Sequence, residues 1–486
     1  MDELPPFLSL PPEDDRKYLY TYCGKRLLGG RQKLSDKKAA SFPKISNPLL
    51  HPLYCYDGIR ARPTLVVGAD DSGKTAHLLY LALKDSSCGR TVVFIDGNSS
   101  RDTLNQLYYW NKKWLARPIL ALTPDEDELS HTWNPLWNTG LKVGTLTDLF
   151  FNAYQHTQTT PLDPDDLDFF KETLHELLDV LEKSKLTTHC ADAAEILSDD
   201  KALEWLGAVA EDEGKESYED LLDLIRETRR FSEKITPLVQ FLSLFRSWTL
   251  SSYHPSICFP QLLRSPSIVY VGLPNAADEE TKQRNAALGN LLIHHIEALI
   301  SQAASEDKEN RRAVSVIVNQ AERFMDEELA GWMLKARSSE LMLTCAVDNL
   351  AALEKMKDGF LEQLRADMPN LALFNSNDSA TAQWFASFWQ AKQSEDALFP
   401  PAEIWAERIQ QLKHGQYLLD ISTAPQRPMS LAAPFLPPPA NRADYQYQRE
   451  HYNLGEKPSF KAWRFCAQPE PLEEAPDESL LQNPQE

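Results

Sequence analysis

Basic charge is in short supply in this chain. Its 486 residues hold 50 Lys plus Arg against 71 Asp plus Glu, a formal net charge of −21 at pH 7. That balance excludes a general basic coat for nucleic acid and leaves room only for local basic patches. Long apolar runs are also missing: no stretch reaches the roughly eighteen residues that a membrane-spanning helix needs. The start, MDELPPFLSLPPEDDRKY, is acidic and Pro-rich and lacks the basic and apolar regions of a signal peptide. The cysteines at 23, 55, 88, 190, 258, 345 and 466 follow no CxxC or Cys/His ligand spacing, so they read as free thiols of a reducing cytosol. No Ser/His/Asp or Cys/His nucleophile constellation stands out. What remains is ordinary globular composition, 42% hydrophobic and 25% charged, on a chain long enough for more than one domain.

Short β-branched runs alternate with helical patterns, which predicts an α/β fold. TLVVGADDSGKTAHLLYLAL (64–83) reads as strand, glycine loop and helix, and TVVFID (91–96) and RPILALT (117–123) as further strands. From about 161 to 249 the pattern turns helical, opening on the Asp-rich DPDDLDFFKETLHELLDVLEKS with no convincing strand. Strand signals return at SIVYVGLP (267–274), AVSVIVNQ (313–320), LMLTCAV (341–347) and LALFN (371–375), with a long helix from Glu279 to Ser305. The pattern predicts a discontinuous α/β domain over 61–160 and 250–436 with a mostly parallel sheet, interrupted by an all-α insertion at 161–249. It is preceded by a segment at 1–60 whose basic run, Lys33 to Lys38, reads as a solvated loop. A Pro-rich acidic tail at 437–486 follows and reads as disordered or partner-binding. Its last twenty residues hold six carboxylates and no Lys or Arg.

Gly68-Ala69-Asp70-Asp71-Ser72-Gly73-Lys74-Thr75 fits the phosphate-loop pattern GxxxxGK[ST] between an apolar strand and a helix. The glycines let backbone N–H groups close around phosphate oxygens, Lys74 reaches the β- and γ-phosphates, and Thr75 reaches Mg²⁺. Asp70 and Asp71 lower affinity unless they point outward or pair. The GTP-specifying NKxD pattern is absent, so ATP with Mg²⁺ is the expected ligand.

Hydrolysis needs an acid for the metal shell and a base for water. The best strand for these, Val314 to Val318, ends in Asn319-Gln320, two amides in place of acids. Asn319 can hydrogen-bond a metal-bound water but brings no charge, and Gln320 is no general base. Two acids stand in reserve. Asp96 closes VVFID and would serve if its strand lay beside the loop strand. Glu322 follows Gln320 by two residues and could substitute as base; the plainer readings are Asp96 as a turn residue and Glu322 as a helix N-terminal acid.

At these residues the order of motifs resembles the type IV secretion coupling proteins, the TraD/TraG/VirD-type ATPases, from about residue 61 to 436. VVFID with Asp96 matches the strand after the loop, and Trp133-Asn134-Pro135-Leu136 the turn before the insert. FFKETLHELL (169–178) matches the helix entering the insert, IVYVGLP (268–274) the returning strand, and ALGNLLIHHIEALI (287–300) the next helix. VSVIVNQAERF (314–324) falls on the Walker B segment. LMLTCAVDNLAALE (341–354) falls on the sensor strand, where Asp348 replaces the usual Gln. LALFNSNDSATAQWF (371–385) matches the next strand and helix, and PPAEIWAERIQQLKHGQYLLDIS (400–422) the closing segment.

The resemblance implies a RecA-like P-loop domain with an all-α insertion, hexameric rings, and Arg337 as a residue serving a neighbouring site in trans. It also implies a nucleotide-binding component that recruits DNA or secreted protein to secretion and relaxosome partners. Such a component is cytoplasmic and is tied to the inner membrane through those partners. The missing acids and the missing N-terminal membrane anchor point to a divergent member with weak or absent hydrolysis, whose catalytic candidates are Asp96, Gln320, Glu322, Asp348 and Arg337. Two alternatives stay open: an active DNA-translocating ATPase of the FtsK/HerA type, and an interaction scaffold that keeps the loop only for folding.

Overall fold

The computed structural model describes residues 20–27, 50–56, 62–124, 130–158, 163–210, 212–228, 234–303, 313–327, 331, 333, 341–354, 359–366, 369–391, 401–421, 429–432 and 466–467. Arg337, the run Lys33 to Lys38 and nearly all of the acidic tail lie outside them. The described residues form two compact units. One holds residues up to Trp133, Asn138–Pro161 and Pro255–Gly455; the other holds Asn134–Trp137, Leu162–His254 and the C-terminal residues.

The first unit is built on an eleven-stranded sheet. Its strands in chain order are β1 (Tyr20–Leu27), β2 (Leu50–Tyr56), β3 (Thr64–Val67), β4 (Thr91–Asp96), β5 (Ile119–Leu122), β7 (Ile268–Gly272), β8 (Val314–Asn319), β9 (Leu341–Val347), β10 (Asn370–Leu373), β11 (Gln416–Asp420) and β12 (Met429–Ala432); β6 (Leu186–Thr187) belongs to the second unit. Their spatial order is β2-β1-β12-β11-β10-β3-β9-β8-β4-β7-β5. From β10 to β5 every pairing is parallel, and from β10 through β11, β12 and β1 to β2 every pairing is antiparallel. The parallel strands are buried along nearly their whole length: β4, β7, β8 and β9 expose no residue. Strands covered on both faces need continuous apolar runs, which is why VVFI, IVYV, VIV and LMLTCAV carry so little polar alternation.

The first crossover runs through a helix at Lys74–Ser87, here α1, whose Leu78, Leu79, Ala82 and Leu83 pack into the core. It links β3 to β4 across two intervening strands, β9 and β8. In open parallel sheets such a crossing opens a crevice at the carboxyl ends of the strands, where ligands bind. The predicted strand at 371–375 is Asn370–Leu373, and the long helix is described as far as Ala303. The segment 1–60 contributes two strands, β1 and β2, that its Pro punctuation concealed.

The second unit is helical, with helices at Pro164–Lys183, Cys190–Ser198, Asp200–Val209, Asp212–Thr228 and Thr236–Ser243. The first starts by the rules its sequence announces: the Asp163 side chain accepts from the Asp165 N–H, Pro164 occupies the first turn, and Asp165 and Asp166 face the positive helix end. One correction to the strandless expectation is β6, two residues that pair with Cys466–Ala467. Asn134 is fully buried in this unit. Its Nδ2 donates to the carbonyls of Thr188 (2.8 Å) and Ser252 (3.1 Å), and its Oδ1 accepts from Leu136 N–H (3.0 Å). The Asn-Pro-Leu turn thus ties the segment after β6, at Thr188, to the irregular segment at Ser252, and a buried amide satisfied three ways explains the residue type. No helix among the described residues is long and apolar enough to cross a membrane. Cys88, Cys190, Cys258 and Cys345 carry free thiols.

Candidate functional site: a phosphate loop at the strand ends

The loop Gly68–Thr75 leaves β3 at the carboxyl edge of the sheet, held between neighbours on both sides. Gly68 N–H donates to Val347 O at the end of β9 (3.2 Å), and Ala69 N–H donates to Asn375 O just past β10 (2.8 Å). A methyl at Gly68 would lie 2.6 Å from the Phe374 Cβ, so the packing admits only glycine. Asp71 and Gly73 turn the chain with positive φ, 56° and 100°. At Gly73 a side chain would also stand 2.9 Å from the Gly415 backbone nitrogen, which itself donates to Ser72 O at 2.9 Å. The His414 ring nitrogen Nδ1 donates to Asp71 O at 2.6 Å. The segment entering β11 therefore closes the outer side of the loop. The loop's left-handed bend is the kind that gathers backbone N–H groups into an anion-binding concavity.

Helix α1 begins at Lys74 with no acidic residue in its first turn, which leaves the positive end of its dipole unopposed. Ala69–Asp71 and Gly73–Ala76 line a cavity of about 140 Å³ together with Asn98, Asn319, Asp348 and His414. Asp70 and Asp71 are exposed, so solvent screens their charges. Lys74 is nearly buried; its ammonium is ion-paired with the Asp348 carboxylate and donates to Val347 O at 3.4 Å. The cradle, the helix end and the buried ammonium fit a nucleotide phosphate. Thr75 stands where a hydroxyl would reach the accompanying Mg²⁺.

The reserve acids part company here. Asp96 is fully buried, and its strand β4 is separated from the loop strand by β9 and β8, so the condition for a metal acid on an adjacent strand is not met. Its carboxylate accepts from Asn319 Nδ2 (2.9 Å), Asn98 N–H (3.1 Å), Tyr270 OH (2.8 Å) and Ser100 N–H (3.2 Å). With four donors its acceptor sites are filled, and Asp96 acts as a tie between strand ends rather than a metal-shell acid. Asn319, its in-register partner, lines the cavity with its amide committed to Asp96. Gln320 takes the left-handed conformation (φ 55°) and does not reach the cavity wall.

Glu322 lies in the 3₁₀ turn Ala321–Arg323 that follows. Its Oε2 is buried with no hydrogen-bond partner. Burial pushes its carboxyl up to about 7, against the pull of its own backbone N–H; the Asp348 charge raises it further, and Lys74 and Arg323 lower it. Arg323 points the other way, donating to the carbonyls of Gly97, Leu273 (2.8 Å) and Pro274 (3.0 Å) and clamping the ends of β4 and β7. Sequence reasoning missed the Lys74–Asp348 pair, Asn98 and His414. The only signal for His414 was the Gly that follows it.

No family model matches the chain, and no curated protein sequence matches it. Solved structures do resemble it. The plasmid coupling protein TrwB in complex with a non-hydrolysable ATP analogue matches 88% of this chain and 98% of its own, at 13% identity and a TM-score of 0.52. The same protein with ADP and Mg²⁺ matches 88% and 97%, at 13% identity and a TM-score of 0.51. Unbound TrwB, described as a bacterial conjugative coupling protein, gives the same coverage, identity and score as the ADP complex. The chain shares the coupling-protein fold: a mostly parallel RecA-like sheet with a phosphate loop, interrupted by a helical insertion.

Proposed function

We propose that this chain binds Mg-ATP through Gly68–Thr75 and serves as a coupling-protein-like component of a type IV secretion or conjugation system, with slow turnover. The observation that carries the nucleotide part is the loop itself: a left-handed glycine cradle at a helix start, with a nearly buried lysine ammonium on the cavity. Support for the secretion part is the shared fold with a conjugative coupling protein. In this reading the helical insertion and the acidic tail meet protein or DNA substrates and secretion partners, the chains assemble as rings, and the protein works on the cytoplasmic side of the inner membrane.

Slow turnover follows from Asn319 and Gln320, which supply neither a metal-shell charge nor a base. One observation favours a second reading, an active ATPase. Glu322, which like Gln320 does not line the cavity, has a buried carboxylate oxygen without a partner and a carboxyl pushed up to about 7, the proton affinity that a base reaching the site through one water would need.

Titration of Mg-ATP into wild type and Lys74→Ala, with binding and phosphate release followed together, tests both. The expected result is binding in wild type that weakens at least about a hundredfold in Lys74→Ala, since the lost contact is charge-assisted and desolvated. Trace phosphate release supports the first reading. Fast release that disappears in Glu322→Gln establishes the second. Absence of binding in wild type removes both.

A further inference from the structure

The Lys74 ammonium is ion-paired with the Asp348 carboxylate on the cavity wall. Asp348 follows Val347, which pairs in register with Val67 at the end of the loop strand, so Asp348 stands level with Gly68 on the strand directly beside the loop. The Lys74 side chain is 7% exposed and that of Asp348 is 31% exposed, so the pair faces the cavity with Lys74 shielded from water. We propose that Asp348 makes nucleotide capture by this loop conditional on a divalent cation. The inference rests on the nucleotide reading above and deepens it.

The physics is charge bookkeeping in a half-enclosed site. A metal-free nucleotide that takes the Lys74 ammonium leaves Asp348 as an unpaired carboxylate facing phosphate oxygens, and like charges at short range in a partly buried site repel strongly. A hard divalent cation accompanying the phosphates gives Asp348 a new counter-charge, directly or through a metal-bound water. Asp348 then changes partner from ammonium to cation, and Lys74 is released to the phosphates. Asn319 cannot supply this charge, because it is neutral and its amide is held by Asp96. The sensor-strand acid thereby does two jobs: it blocks bare anions and it selects the metal-bound form.

The test uses the full chain and measures affinity for ATP and ADP by calorimetry, with Mg²⁺ or with a chelator, in wild type and Asp348→Asn. Circular dichroism and thermal melting check folding, and Asp348→Gln serves as a second variant if the first fails to fold. Wild type should bind metal-free nucleotide at least about tenfold more weakly than the Mg²⁺ form, and Asp348→Asn should recover about tenfold in metal-free affinity and lose most of its metal dependence. Equal metal-free affinities in wild type and variant, with Mg-nucleotide binding intact, overturn this inference alone. Failure of wild type to bind Mg-nucleotide overturns the nucleotide reading and this inference with it.

Discussion

At the carboxyl ends of these strands, three acids and an amide have been given different work by strand order. Asp96 is consumed by four donors, Asn319 is tied to it, Asp348 is paired with the lysine, and Glu322 keeps a buried oxygen without a partner. The Glu322 environment has a measurable signature. Its proton affinity is raised in the folded chain to about 7 from 4.5, so the folded state holds a proton over a window in which the unfolded state has lost it. Stability from this group is therefore present below about pH 4.5 and is lost as pH rises toward 7. Replacing it by Gln should leave stability little changed near pH 5 and raise it by about 1–2 kcal/mol at pH 8, after allowing for the solvent that reaches a half-buried group. Denaturant unfolding at the two pH values decides this; equal differences at both would mean that the carboxyl is not perturbed.

At the scale of elements, the Asn134 turn shows how one side chain can hold a unit together. Its three hydrogen bonds join Thr188, Ser252 and Leu136, which lie far apart in sequence, and the site is fully buried. Asn134→Ala leaves two carbonyls and one N–H without their partner and should cost about 2–3 kcal/mol. The loss should appear as a lower denaturant midpoint in the helical unit, with Mg-ATP affinity unchanged. A shift below about 0.5 kcal/mol would show that water replaces the amide. Helix starts were legible in advance because their signals are local: Asp163-Pro164-Asp165-Asp166 announces a cap, a first turn and a favourable dipole. The strands β1 and β2 were not legible, because β1 pairs with β12 hundreds of residues away and with β2 well outside its own sequence window, so no local pattern announces the partner.

For the whole molecule, a ligand held only by one unit should stabilise that unit. Saturation at a hundred times Kd contributes about 2.7 kcal/mol. Mg-ATP should therefore slow hydrogen exchange in β3, α1, β9 and the segment entering β11, which contact the loop. It should leave the helical unit at Pro164–Lys183 and beyond unchanged, and Lys74→Ala should show neither effect. Protection that spreads equally through the helical unit would show that the two units open as one.

The amino-acid sequence by itself determined the α/β class, the helical interruption, the loop and the order of motifs that resembles coupling proteins. Each of these rests on short-range information: hydrophobic period, capping residues, and glycines where a chain must bend around an anion. Only the tertiary structure decided which acid does what. Asp96 and Asp348 both end apolar strands, VVFID and LMLTCAVD, and look alike as sequence. The sheet order puts β9 beside the loop strand and β4 two strands further away, so one acid meets Lys74 and the other meets Tyr270 and Asn319. Strand order is set by long-range packing and crossover connections, which no local window contains, and charges act over distances in space rather than along the chain.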